Sequence, residues 1–234
     1  MHGKLIVFEG VEGCGKTTQL RRSQQWLIDS GWQALLQAKG YLQYLVMTRE
    51  PGGTVLGLQV RQLLLEPSTA EAMQSRAELL LYAADRAQHV EGYLNPQLQQ
   101  GALILCDRYT DSTIAYQGYG RGIDLNLIAQ LNAIATDGLE SDLTLWLDLD
   151  AATGLARTRQ RGTADRIEQA DLSFHQRVQQ GFTELAEHHP QRITRIDASQ
   201  TEVEVATQIQ AVLSQQFAQW YGLERMKDQG STTL

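Results

Sequence analysis

The chain has 234 residues, 42% of them hydrophobic and 20% charged, with a net charge of −7. That is the make-up of a soluble globular protein long enough to bury a substantial core. It excludes a membrane-spanning protein, because no apolar run approaches ~20 residues, and the acidic balance argues against nucleic acid as the main partner.

No Pro/Gly/Ser-rich linker divides the chain, so one domain is expected over residues 1–226, with 227–234 as a flexible tail. The start lacks the pattern of a secretion signal. Two cysteines, Cys14 and Cys106, make no disulfide framework and suit a reducing cytoplasm.

In chain order, Leu5-Ile6-Val7-Phe8 reads as a buried strand. Gly10-Val11-Glu12-Gly13-Cys14-Gly15-Lys16-Thr17 follows, and then a helical stretch through Leu27. Strand, Gly-rich loop and helix form the context in which the G-x-x-x-x-G-K-[ST] pattern signals a phosphate loop. The glycines let backbone N–H groups approach a phosphate chain with no Cβ in the way. The helix start adds unpaired N–H groups and its positive dipole end. Lys16 is expected to reach the β- and γ-phosphates, and the Thr17 hydroxyl to ligate Mg²⁺.

Residues 32–44 show no clear period. Leu45-Val46-Met47-Thr48 is a second strand, closed by the turn-rich Arg49-Glu50-Pro51-Gly52-Gly53-Thr54. Leu56, Val60, Leu63 and Leu64 then recur at helical spacing. Residues 71–99 have helical composition. Ala102-Leu103-Ile104-Leu105-Cys106 is a third strand, ended by Asp107. A carboxylate there either helps hold Mg²⁺ or caps the next helix.

Gly118, Gly120 and Gly122 predict a loop over residues 116–122. Leu127, Ile128, Leu131, Ile134 and Ala135 mark another helix. Leu143-Thr144-Leu145-Trp146-Leu147-Asp148-Leu149 is a fourth strand. Residues 151–168 are arginine-rich, with Arg157 and Arg161 four apart on one helix face, and suit a lid that closes over a triphosphate. Phe174, Val178, Phe182 and Leu185 form a helical stripe. Ile193-Thr194-Arg195-Ile196-Asp197 is a fifth strand. Val205, Ile209, Val212, Leu213, Phe217 and Trp220 face one side of a last helix.

Strands alternating with helices predict a three-layer α/β/α fold around a five-stranded parallel sheet, with ligands at the carboxyl ends of the strands. A GTP-driven switch would need Asp-x-x-Gly and Asn-Lys-x-Asp. Neither occurs in the chain.

The chain resembles the thymidylate kinases over nearly its whole length. The resemblance rests on the phosphate loop with its Phe8-Glu9 lead and on Thr48-Arg49-Glu50-Pro51-Gly52-Gly53-Thr54. It continues in Leu81-Tyr82-Ala83-Ala84-Asp85-Arg86, Asp107-Arg108-Tyr109, residues 112–122, Asp165-Arg166-Ile167-Glu168 and Ile196-Asp197-Ala198. It implies an enzyme that phosphorylates dTMP to dTDP with ATP–Mg²⁺, working as a homodimer in the cytoplasm. Glu12 would meet the 3′-hydroxyl of dTMP. Arg49 and Arg108 would hold the acceptor phosphate, Tyr82 stack on thymine and Arg86 bond its O4. Thr113 would read the pyrimidine edge, with Ser112 and Gln117 beside it, and Tyr116 would crowd the 2′ position. Asp197-Ala198 would lie near the adenine. Lys16, Arg108 and either Arg157 or Arg161 would be catalytic, with Thr17 and Asp107 toward the metal. Some members carry Arg at the position of Gly13; this chain has the arginine-rich lid of the bacterial form instead. Two departures stand out. Residues 34–44 read as an insertion, and Leu58 replaces a glutamate common in the family. The remaining alternatives are a kinase of the same fold for another nucleoside monophosphate and, in a different class, a non-catalytic nucleotide-binding protein.

Overall fold

The computed structural model describes residues 2–66, 71–160, 162 and 164–223. Arg161 and the expected tail over 227–234 lie outside the described residues. Five parallel strands form one sheet: β1 (Lys4–Glu9), β2 (Tyr44–Arg49), β3 (Ala102–Asp107), β4 (Leu143–Asp148) and β5 (Ile193–Asp197), in the order β2-β3-β1-β4-β5. The central β1 pairs with β3 and with β4, and its register sets Phe8 beside Asp107 and Leu145. The chain therefore leaves β1 and β3 side by side at the same end of the sheet. A crevice at the carboxyl ends is where such sheets bind ligands.

Alternation along the strands builds the two cores. Ile6 and Phe8 face one side with Leu103 and Leu105, under Leu20, Leu27, Val178, Ile209 and Phe217. Leu5 and Val7 face the other with Ile104 and Cys106, under Val90, Leu94 and Leu98. Helix α1 (Lys16–Asp29), α9 (Leu172–His188) and α10 (Glu202–Tyr221) thus cover the first face. A π-helical turn (Val90–Leu94) and α5 (Asn95–Gln99) cover the second.

Three local expectations change. Residues 32–44, without a clear period in the sequence, begin with a helix: Trp32–Ala38 is α2, whose Trp32 and Leu36 are buried four residues apart. Trp32 packs on Phe217 with ring centroids 5.4 Å apart. Helix α3 (Val55–Leu65) buries Leu64, but Leu56 and Leu63 are exposed, so its apolar stripe is not all core.

The glycine-marked stretch is not a loop. After α6 (Thr110–Thr113), Ile114–Gly120 is π-helical. Gly118 and Gly120 serve close packing: a Cβ would stand 2.5 Å from Leu125 Cδ2 at the first and 2.6 Å from Phe174 Cε2 at the second. Of the three, Gly122 is the one with a left-handed backbone, φ 75°. The remaining helices are α4 (Ser75–His89), α7 (Leu125–Thr136) and α8 (Ala151–Arg159).

Candidate active site

A cavity of about 640 Å³ runs along the carboxyl ends of the strands. The phosphate loop forms its floor. Gly10, Gly13 and Gly15 have φ of 141°, 71° and 93°, values that a side chain opposes. Gly15 is the N-cap of α1 and has no capping side chain, so the helix N–H groups stay free for an anion. Glu12, Gly13, Cys14, Gly15, Lys16 and Thr17 line the cavity. Gly10 and Val11 do not; they lie beneath it, and both of their carbonyls accept hydrogen bonds from Lys16 Nζ, at 3.0 and 2.8 Å. Nζ also lies 3.3 Å from Cys14 Sγ. The ammonium is thus held on its own loop, within reach of any phosphate seated there.

Thr17 Oγ1 donates to Asp107 Oδ2 at 2.8 Å. Of the two readings of Asp107, the cap fails: the N-cap of α6 is Tyr109, and no side chain caps it. A hydroxyl and a carboxylate side by side are hard oxygen donors that suit Mg²⁺, which keeps several waters and takes the rest of its shell from phosphates. Among the described residues no cluster of three His, Cys, Asp or Glu could cage a metal alone.

Arg108 joins the phosphate loop to the rest of the cavity. Its backbone is left-handed, φ 71°, a strained state for a non-glycine residue. Nη1 donates to Gly10 O and Ser112 Oγ, both at 3.0 Å. Nη2 donates to Glu12 Oε1 at 2.7 Å and Tyr116 Oη at 3.0 Å. Tyr116 Oη in turn donates to Glu12 Oε1 at 2.8 Å. Burial would raise the Glu12 carboxyl, but Arg108 and Lys16 override it and hold the group at about 2. Glu12 is therefore an anion already paired to Arg108, with the Lys16 charge nearby.

Glu9, at the end of β1, is fully buried. Its Oε1 accepts from Tyr109 N at 2.8 Å and Ser112 N at 3.1 Å, and its Oε2 from Ser112 Oγ at 2.6 Å. It fixes the turn that carries Arg108. Burial, with Asp111 next in weight, pushes this carboxyl up to about 7. The same signal that marks Asp107, a carboxylate ending an apolar strand, could have found it.

Farther along, Tyr82, Arg86, Thr113, Tyr116 and Gln117 line one end of the cavity together. Tyr82 is half-buried, not core. Arg86 is 2% exposed and is no surface ion pair. Its Nε donates to Glu50 Oε2 at 2.7 Å, its Nη1 to Thr113 Oγ1 and Asn132 Oδ1, and its Nη2 to Tyr109 O. One of its five N–H groups is left for a ligand. Arg49 lines the middle of the cavity together with Arg61, which the sequence does not single out. A lone arginine on a helix reads as solvated surface. Burial and the nearby Arg49 charge lower the Arg61 pKa.

Arg157 lines the cavity from α8, with Asp165, Ile167 and Glu168. The opposite end is closed by Ala198, Gln200, Thr201 and Val205. Asp197 is not part of this wall; its Oδ1 accepts from Ser199 N and Oγ and shapes the turn.

This arrangement can hold two anionic ligands end to end, one on the glycine loop and one before the aromatic end, with guanidinium groups between. The family model for thymidylate kinase matches residues 8–209. A thymidylate kinase of a Cyanothece species is 61% identical over 228 residues, covering 94% of this chain and 97% of its own. That of Acaryochloris marina is 57% identical over 232 residues, covering 94% and 100%. The crystal structure of thymidylate kinase from Ehrlichia chaffeensis superposes with a TM-score of 0.70 at 34% identity, covering 91% of this chain and 99% of its own.

Proposed function

This chain belongs to the thymidylate kinase family, enzymes that phosphorylate dTMP to dTDP, and from that premise we propose a role for each group in the cavity. The observation that carries the reading is the single cavity that joins the phosphate loop to Tyr82, Arg86, Thr113, Tyr116 and Gln117.

ATP lies with its phosphates on residues 10–17 and its adenine toward Ala198. dTMP lies with thymine against Tyr82 and its 5′-phosphate between Arg49 and Arg108. Glu12 and Tyr116 crowd the sugar. The acceptor phosphate oxygen is already anionic, so no covalent enzyme intermediate and no strong base are needed. Two polyanions repel, and the protein's task is to hold them in line. Lys16, Arg49 and Arg108 offset the charge, and Arg157 reaches it from α8. Arg108 would exchange part of its bonding to Glu12 for the phosphate, a charged partner of the same kind. Thr17 and Asp107 would hold Mg²⁺, which neutralises charge on the β- and γ-phosphates when bound. The segment over 151–168 acts as the lid.

A second copy is the proposed partner. Helices α3, α4 and α7 pack together and expose Val55, Leu58, Leu63, Leu80 and Ile134, with Val55 82% and Ile134 77% exposed. Such a patch on a monomer calls for a cover. Light scattering on the full chain tests it: a dimer mass is expected, and a monomer at micromolar concentration would refute it. The cytoplasm is the proposed location, where Cys14 and Cys106 stay reduced.

The test of substrate is ADP release with ATP, Mg²⁺ and, side by side, dTMP, dUMP, CMP, AMP and GMP. Turnover is expected with dTMP above all others. A larger kcat/KM for another acceptor would overturn the base-pocket assignment.

A further inference from the structure

Glu78, on α4, is 0% exposed and stands outside the reaction just described. Its carboxylate is the meeting point of three elements. Gln117, from the π-helical stretch, donates through Nε2 to Oε1 at 2.8 Å. Arg121, just beyond, donates through Nε and Nη2 at 3.2 and 3.1 Å. Arg166, from the connection between α8 and α9, brings Nη1 to Oε2 at 2.6 Å. Although burial opposes it, these donors hold the Glu78 carboxyl below its usual range.

Arg166 is anchored twice more. Its Nε donates to Leu64 O at 2.8 Å and its backbone N to Leu65 O at 3.0 Å. Those are the last carbonyls of α3, which lack partners within the helix and favour a cation. Arg166 therefore points away from the cavity, while its neighbours Asp165, Ile167 and Glu168 line it. On the other side of the hub, Gln117 lines the acceptor end, and so does Tyr82, one helical turn beyond Glu78. The hub thus spans the wall around the base and the wall that follows Arg157.

We propose that Glu78 is a positioning residue, with Arg166 as its arm, that ties occupancy of the base pocket to the placement of residues 165–168. It rests on the assignment of that pocket to dTMP. A base held against Tyr82 and Gln117 fixes α4 and the π-helical stretch, and so fixes the carboxylate. The carboxylate fixes Arg166, and Arg166 sets the cavity wall beside the transferring phosphate. Filling the acceptor site prepares the lid before ATP is committed.

Hydrogen exchange on the full chain, with and without dTMP, tests it. In the unsubstituted enzyme dTMP should slow exchange in α4 and also at residues 164–168. In Arg166→Ala, dTMP should still protect α4, but protection at 164–168 should be lost. kcat should fall by about threefold to thirtyfold while the dissociation constant for dTMP changes less than kcat does. Arg166→Lys keeps the charge but not the fork that reaches Leu64 and Glu78 together, and should restore part of the protection. It also serves if the alanine variant folds poorly. Equal dTMP-induced protection at 164–168 in the variants and the unsubstituted enzyme would overturn the coupling. If dTMP protected neither α4 nor 164–168 in the unsubstituted enzyme, the pocket assignment would fail, and the coupling with it.

Discussion

Gly13 of the phosphate loop and Gly154 of α8 lie backbone against backbone. A Cβ on Gly13 would collide with the carbonyl oxygen of Gly154, and a Cβ on Gly154 with the carbonyl oxygen of Glu12. The helix that carries Arg157 is seated directly on the loop that would hold ATP. The contact leaves no room for a side chain at position 13, an arginine included.

Gly154→Ala tests that seating. The new methyl must push α8 off the loop, an overpacking that costs about 1–3 kcal/mol. The expected result is a melting temperature lower by several degrees and a kcat reduced more than the affinity for ATP, because Arg157 moves with the helix. Calorimetry and steady-state kinetics read the two effects. Unchanged kcat in a folded variant would detach α8 from the chemistry.

Lys16→Ala should lower kcat by about a hundredfold to a thousandfold, the scale for losing one preorganised charge donor at a transferring group. Nζ also holds the Gly10 and Val11 carbonyls, so a modest loss of stability is expected as well. Single-turnover measurement of phosphoryl transfer separates the two. Near-normal turnover would remove Lys16 from the mechanism.

Arg86 is a poor place to test base recognition by alanine. Removing it takes the guanidinium from the buried Glu50 carboxylate, which keeps only its bond to His89 Nδ1 at 2.9 Å among the described side chains, at a cost of about 3–5 kcal/mol. The cleaner variant is Tyr82→Ala, since among the described residues no ion pair depends on Tyr82. It should weaken dTMP binding, measured by titration calorimetry, and leave ATP binding unchanged. Equal losses for both ligands would argue against base stacking.

Glu9 makes stability depend on pH in an unusual direction. Its carboxyl sits at about 7 in the folded protein against 4.5 for the free group. The folded state then binds the proton more tightly, so its contribution is complete below about pH 4.5 and is lost as pH rises toward 7. Glu12 has the opposite sign: held at about 2, its contribution is present above pH 4.5 and is lost as pH falls toward 2. Glu9→Gln does not titrate, so its stability relative to the unsubstituted protein should improve steadily from pH 5 to 7.5. Denaturant midpoints across that range check it, and a flat difference would contradict the burial argument.

Asp107→Asn should raise the Mg²⁺ concentration needed for half-maximal activity, with little change in fold, because the amide still accepts from Thr17 Oγ1. A magnesium titration at saturating nucleotide reads it. An unchanged requirement would move the metal elsewhere.

Local chemistry in the chain was sufficient for the phosphate loop, the five strands and the polar clusters at their carboxyl ends. A strand needs only an apolar run, and a phosphate cradle needs glycines and a lysine at fixed offsets. Those demands are met by neighbours in sequence. Long-range packing decided the rest. Gly118 and Gly120 look like turn residues until Leu125 and Phe174 are set against them; they then prove to be small so that helices can touch. Leu56 and Leu63 have core spacing, yet nothing in the described chain covers them. Glu78, Arg61 and Gly154 gave no functional signal, because each acts on a residue distant in sequence. What Glu78 does depends on Arg166 arriving from 88 residues away (166 − 78), and no local pattern encodes that meeting.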